Sequence, residues 1–253
     1  MDNTIRARIT DPGMDPTERF NLGLSATLQG RPYEAVLLDV LEPLRRDRYL
    51  HGRINQLFLH APTGELGLHS IEVGVDVASL CVEEKMEQRL VLEGFRGGAL
   101  HDIGKLGVPA YMFMKQKLTP EERVVMRRHP SYSGTFIDIG YSTVAWDSAH
   151  GHHEGKTDSY PRVDNRRKYH NPVIHLDQRK MQQRVTRPEN EPFVRMVRSA
   201  EVLHALKSSR SYKPAFNAGE RVGAFTEIFR NDPEHMSHFT RLESIAAQCG
   251  TGN

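Results

Sequence analysis

The residues of this chain best placed to do chemistry are imidazoles and one carboxylate at the margins of apolar stretches: His69, His101, Asp102, His129 and the adjacent pair His152 and His153. His69 lies four residues before Val73, on the stripe continued by Val77 and Leu80, so helical geometry turns it towards the inner face. His101-Asp102 closes the apolar run Ala99-Leu100, where two polar residues are costly if buried without partners. His129 comes immediately before Pro130, and His152-His153 ends the next helical stretch. Each alone has an ordinary alternative as a surface residue or a satisfied core histidine. Together they imply one shared polar centre, and a metal is the simplest way to satisfy so many buried ligands. Imidazole plus carboxylate without thiolate suits Fe, Mn or Zn, and a set drawn from several helices suits two or three ions better than one. Paired ions that hold a hydroxide and clamp a phosphate are a recurring solution for phosphoester hydrolysis.

Helices must position these residues, and the apolar spacing predicts an all-α chain. Residues 1–31, with Asp11-Pro12-Gly13 and Asp15-Pro16, read as a flexible lead-in. Residues 32–60 read as an N-terminal helical segment, with Val36, Leu37, Val40, Leu41 and Leu44 at helical spacing, interrupted by Pro43. The main domain then spans 61–248. Its first helix is expected from about Leu66 to Leu92, followed by a short one through Phe95 and Leu100 that ends near Gly104 as a helix-terminating glycine. Thr119-Pro120-Glu121-Glu122 is a strong helix start. A short helix is expected around Val144 to His153, and further helices from Phe193 to Leu206, Glu220 to Phe229 and His238 to Ala247. The stretch at about 162–187 is rich in Arg and Lys and poor in apolar periodicity, so it reads as a mobile surface insertion.

Composition narrows the class. With 34 Lys+Arg against 32 Asp+Glu, the net charge of +2 predicts no general affinity for nucleic acid polymers or anionic membranes. No stretch approaches the roughly 20 apolar residues of a membrane span, and Met1–Thr10 does not read as a secretory signal. The 2 cysteines, Cys81 and Cys249, fit neither a zinc-thiolate pattern nor a disulfide framework, which suits a reducing, cytoplasmic compartment.

Five blocks, in order, carry a family resemblance. Ala99-Leu100-His101-Asp102-Ile103-Gly104-Lys105-Leu106-Gly107-Val108-Pro109 resembles the hallmark "LLHDIGKIGIP" of HD-GYP domains, the cyclic di-GMP phosphodiesterase branch of the HD superfamily of metal-dependent phosphohydrolases. Leu118-Thr119-Pro120-Glu121-Glu122 with Met126, His129 and Pro130 resembles that family's next segment. His152-His153-Glu154 followed by Ser159-Tyr160-Pro161 resembles "HHE…GYP". Ala200-Glu201-Val202-Leu203-His204-Ala205-Leu206 with Ser209-Arg210-Ser211-Tyr212-Lys213 resembles "ADxxDALxSxRPYK". Glu65-Leu66-Gly67-Leu68-His69 is similar to "ETGxH".

The resemblance implies an HD-domain-like helical bundle that hydrolyses cyclic di-GMP to linear pGpG, to GMP, or to both, through a metal-bridging hydroxide. It implies His69, His101, Asp102, His129, His152, His153 and Glu201 as ligands of two or three divalent ions of the Fe or Mn type, with Asp102 bridging two of them and Glu65 reaching a third. Asp102 and Lys105 would be catalytic, and Lys105, Arg210, Lys213 and Tyr160 would contact substrate. A signalling-protein partner of the diguanylate cyclase type is also compatible with it. The chain departs from the family pattern where Glu201 and His204 stand in place of aspartates and Ser159 in place of glycine. Those departures keep a second expectation open: a non-catalytic domain that binds metal, cyclic dinucleotide or a partner protein.

Overall fold

The computed structural model describes residues 3–61, 63–153, 186–207, 215–230 and 232–249. Among them are twelve α-helices and no strand, as the all-α reading expects: α1 Asn3–Ile9, α2 Pro16–Leu28, α3 Glu34–Val40, α4 Arg48–His60, α5 Glu65–Glu83, α6 Gln88–Leu100, α7 Pro120–Met126, α8 His129–Tyr132, α9 Thr143–Gly151, α10 Glu191–Lys207, α11 Ala218–Phe229 and α12 Pro233–Cys249. No helix among the described residues is long and apolar enough to cross a membrane. Tyr160, Arg210, Lys213, Ser159 and all of the 162–187 segment except Thr186 and Arg187 lie outside the described residues.

The centre of the bundle is α5. It packs along α6 on one side and against α2, α4 and α10 on the others, while α9 covers the far face of α6. Ile71, Val73, Val75, Val77, Ala78 and Leu80 are all fully buried, so this helix is apolar nearly all round, as a central helix should be. The close approach of α5 and α6 depends on two glycines. A Cβ on Gly98 would stand 2.8 Å from Gly74 Cα and 2.8 Å from the Val73 carbonyl, so only Gly fits where the backbones meet.

The structure corrects three sequence expectations. The lead-in at 1–31 is helical and seated in the core: Phe20, Leu24 and Leu28 of α2 are buried. Asp15-Pro16, read as a linker signal, is a helix start, with the Asp15 side chain accepting from the Thr17 and Glu18 N–H groups and Pro16 at the first helical position. The single helix expected over 66–92 is two. It breaks at Lys85, which adopts the left-handed conformation (φ 56°). There the Met86 N–H donates to the Cys81 carbonyl and the Lys85 N–H to that of Val82, a pattern usually closed by Gly. Gly104 has no positive φ and does not cap α6, which ends at Leu100 and passes into a 3₁₀ turn, Ile103–Gly107. Any Cβ on Gly104 would collide with the His129 carbonyl. That glycine lets the turn carrying Asp102 lie against α8. The helix start at Thr119 is a full capping box with Glu122, as the sequence predicts.

Candidate metal centre

Five helices deliver side chains to one point. α5 presents His69, α6 runs out into His101 and Asp102, α8 begins at His129, α9 is followed at once by His152 and His153, and α10 carries Glu201. Asp102 is the hub and is almost wholly buried. Its two oxygens face different sets. Oδ2 lies 3.2 Å from His101 Nε2 and 3.9 Å from His69 Nε2, and accepts a hydrogen bond from Lys105 Nζ. Oδ1 lies 3.1 Å from His129 Nε2 and 3.8 Å from His152 Nε2. His153 packs on His152 with ring centroids 4.0 Å apart and sets its Nδ1 3.9 Å from Glu201 Oε2.

The backbone fixes how these rings point. His101 Nδ1 lies 2.7 Å from the Gly98 carbonyl, His129 Nδ1 2.8 Å from that of Met126, and His152 Nδ1 2.9 Å from that of Ser148. A carbonyl only accepts, so each Nδ1 carries a proton and donates it, and each ring turns its Nε2 towards Asp102. Two of these atoms, His129 Nε2 and His152 Nε2, are only 3.2 Å apart. His101 Nε2 is buried and, despite its closeness to Asp102, has no partner in hydrogen-bonding geometry. Protein-oriented ring nitrogens converging on an anionic carboxylate are a donor set that could hold a cation. The donor set therefore fits divalent metal ions, and ligating histidines commonly have their second nitrogen held in this way.

The electrostatics agree. Burial pushes Asp102 up, but Lys105 and His101 overcome it and hold the carboxyl well below its usual range. Burial, reinforced by neighbouring imidazoles, pushes His69 and His152 well below the usual imidazole value. Burial also lowers His101, yet the charges of Asp102 and Glu201 override it and raise its pKa. An ionised Asp102 beside His69 and His152, both pushed towards the neutral form, suits a bound cation. The field that draws a proton to His101 would equally draw a metal.

The structure brings His69, His101, Asp102, His129, His152, His153 and Glu201 together, and Lys105 with them. Glu65 is left out: its side chain is 63% exposed at the start of α5 and pairs with Arg6 at 3.0 Å. Among the described residues, three groups have ligand atoms close enough to share an ion: His69, His101 and Asp102; His129, His152 and His153; and His69, Glu72 and His204. The sequence reading missed Glu72 and Asp76. The signal was their placement three and seven residues after His69, on the same helix face.

No family model matches the chain. Two curated proteins are similar to it. A cyclic di-GMP phosphodiesterase of Pseudomonas aeruginosa is 27% identical over 183 residues, covering 70% of this chain and 39% of that protein. A cyclic di-GMP phosphodiesterase of Vibrio cholerae is 31% identical over 162 residues, covering 59% of this chain and 28% of that protein. The chain therefore spans less than two fifths of the length of either relative.

Proposed function

We propose that this chain is a metal-dependent phosphodiesterase of the HD-GYP type, acting on cyclic di-GMP to release pGpG, GMP or both. One observation carries the reading: a single buried carboxylate, Asp102, turns each of its oxygens to a separate set of oriented imidazoles. The naming of two similar proteins as cyclic di-GMP phosphodiesterases supports the choice of substrate.

His69, His101 and Asp102 Oδ2 would hold one ion, and His129, His152 and Asp102 Oδ1 another, with His153 and Glu201 beside the second. Ions of the Fe or Mn type bound there would activate water for attack on phosphorus and offset charge on the phosphate. Lys105 sits at the edge of the centre with its side chain about one-fifth exposed. From there its ammonium can leave Asp102 and donate to a phosphate oxygen as negative charge builds in the transition state. The carbonyls of Gly98, Met126 and Ser148 keep three rings from swinging, so the centre is organised before substrate arrives. Arg210, Lys213 and Tyr160 are proposed to complete the substrate side.

The test is metal analysis of anaerobically purified protein, with chromatography of cyclic di-GMP incubated with the same sample. The loaded parent should carry at least two ions per chain and yield pGpG or GMP, and Asp102→Ala should lose both ions and product. Full stoichiometry in Asp102→Ala would refute the ligand assignment. Tight cyclic di-GMP binding without product at full metal load would replace hydrolysis with a binding role, which the departure at His204 keeps in view.

A further inference from the structure

The chain between Lys105 and His129 is an arm with both ends on the Asp102 centre. It leaves through the 3₁₀ turn that follows Asp102, makes a second 3₁₀ turn, Ala110–Met114, and returns through α7 to His129. Its roots are tightly packed: a Cβ on Gly107 would stand 2.8 Å from the Tyr132 ring, and one on Gly104 would collide with the His129 carbonyl. The arm itself is not. Between Gly107 and His129 only Val108 and Met112 are buried, and α7 has no buried residue. It is nevertheless held in shape. His60 Nε2 donates to the Val108 carbonyl at 2.8 Å, the His60 and Phe113 rings meet edge to face at 5.5 Å, and Lys115 pairs with Glu122 of the α7 capping box. On this braced arm large apolar side chains face solvent: Tyr111 is 49% exposed and Met114 64%.

We propose that Tyr111, with Met114 beside it, is a stacking platform for a guanine base of the substrate. The proposal rests on the reading of the chain as a cyclic di-GMP phosphodiesterase and adds a base subsite to it. The assignments above deal chiefly with metal and phosphate, whereas a cyclic dinucleotide also carries two flat bases, and an aromatic side chain is the usual surface for one. Residues three apart on a 3₁₀ helix share a face, so Tyr111 and Met114 form one patch rather than two scattered exposures. A thioether adapts its shape to the edge of a flat ring. Lys115 Nζ stands 5.4 Å from the centre of the Tyr111 ring, which gives the patch a cationic rim. From Lys105 to Arg128, Lys and Arg outnumber Glu by 6 to 2, the sign that complements a dianionic dinucleotide. Reach is sufficient too. The six residues from Lys105 to Tyr111 could span at most about 20–22 Å if fully extended, and 3₁₀ turns rise only about 2.0 Å per residue. A dinucleotide with one phosphate at Lys105 therefore has a base within range of Tyr111.

Calorimetric titration of the Mn(II)-loaded full chain with two probes is the test. One probe is the phosphorothioate analogue of cyclic di-GMP, which resists cleavage; the other is inorganic phosphate, which has no base. Tyr111→Ala should weaken the analogue about 5- to 150-fold, the usual loss when an aromatic platform is removed from under a base. Its phosphate affinity and Mn(II) stoichiometry should stay at the parent's values. Tyr111→Phe keeps the ring face and should bind the analogue as the parent does. Val222→Ala, which trims a similarly exposed apolar side chain on α11, is the control and should change nothing. Equal analogue affinity in Tyr111→Ala and the parent would overturn the proposal and leave the phosphodiesterase reading standing. Equal losses for analogue and phosphate would overturn it as well, because they mark a disturbed centre. A Tyr111→Phe protein as weak as Tyr111→Ala would transfer the role from the ring face to the hydroxyl and end the stacking argument. A parent that binds Mn(II) and phosphate but not the analogue removes cyclic di-GMP as substrate, and the base subsite with it.

Discussion

Gly98→Ala tests whether the contact between α5 and α6 sets the geometry of the centre. The added Cβ would lie 2.8 Å from Gly74 Cα, 2.8 Å from the Val73 carbonyl and 3.0 Å from Gly74 N, all backbone atoms that cannot rotate away. Ordinary contact begins at 3.4 Å, so the two helices must part by at least roughly half an ångström. Overpacking of this kind costs about 1–3 kcal/mol. Ala gains up to about 1 kcal/mol over Gly in a helix interior, leaving a net loss of roughly 1–2 kcal/mol. For a domain of this size that is a fall in Tm of about 2–8 °C. The functional cost should be larger. His69 rides on α5 and His101 follows α6, and a shift approaching 1 Å in a reacting constellation can cost about 10²-fold in rate. Gly52→Ala is the control, because nothing lies within 4 Å of a Cβ there and it sits inside α4; it should hold or raise Tm. Thermal unfolding of both variants, with metal titration and cyclic di-GMP hydrolysis, decides the point. A Gly98→Ala protein as stable and as metal-competent as Gly52→Ala would refute the argument.

Three further outcomes are expected. Lys105→Ala should keep its metal and lose about 10²–10³-fold in kcat for cyclic di-GMP, the usual effect of removing one donor to developing charge; a loss of metal instead would make Lys105 structural. Asp147 is fully buried on α9 and accepts from the Arg187 backbone N–H at 2.9 Å, Arg187 Nη1 at 2.7 Å and Asn190 Nδ2 at 2.8 Å. Asp147→Ala strands these donors and should cost about 2–4 kcal/mol in urea unfolding, a range set below that of a fully buried pair because Arg187 is one-third exposed; a loss under about 1 kcal/mol would deny the anchor its role. Burial lowers His235 to about 3 and His238 to about 4, with Ser199 Oγ 2.8 Å and 3.2 Å from their Nδ1 atoms. Both folded values lie below the unfolded value near 6.5, so the unfolded chain binds more protons and stability falls as pH drops from about 6.5 towards 4. The expected loss at pH 5 is roughly 1–2 kcal/mol per histidine, and the double variant His235→Gln/His238→Gln should flatten the Tm–pH curve; an unchanged slope would place the acid sensitivity elsewhere.

What could be read in the sequence was set by how local the determinant is. The capping box at Thr119 and Glu122 is four consecutive residues, and it stands where expected. His101, Asp102, His129, His152 and His153 converge because each lies at a helix end, and short connections leave such ends few places to go. Lys85 gave no signal, since a non-glycine residue in the left-handed region is chosen by the packing of Met86 and Cys81 around it rather than by its own preference. Asp15-Pro16 was ambiguous for a different reason: the residues that loosen a linker are also those that start a helix, and only the burial of Phe20, Leu24 and Leu28 on the following turns separates the two. Glu65 and Glu72 show the limit for site residues. Both are glutamates on one helix, and nothing in their own neighbourhood says which faces α10.

The placement of the histidines at helix C-termini explains more than their convergence. The last four carbonyls of a helix have no partner within it. Gly98 is among the last four residues of α6, Met126 ends α7, and Ser148 is among the last four of α9. Each of those carbonyls takes the Nδ1–H of an imidazole that follows three or four residues later. At Gly98 and Met126 one contact thus satisfies a helix end and aims Nε2 at Asp102, while the Ser148 carbonyl accepts both the backbone N–H and the Nδ1–H of His152. His69, one turn into α5, makes no such bond, and of the four imidazoles within 4 Å of Asp102 it stands farthest, at 3.9 Å.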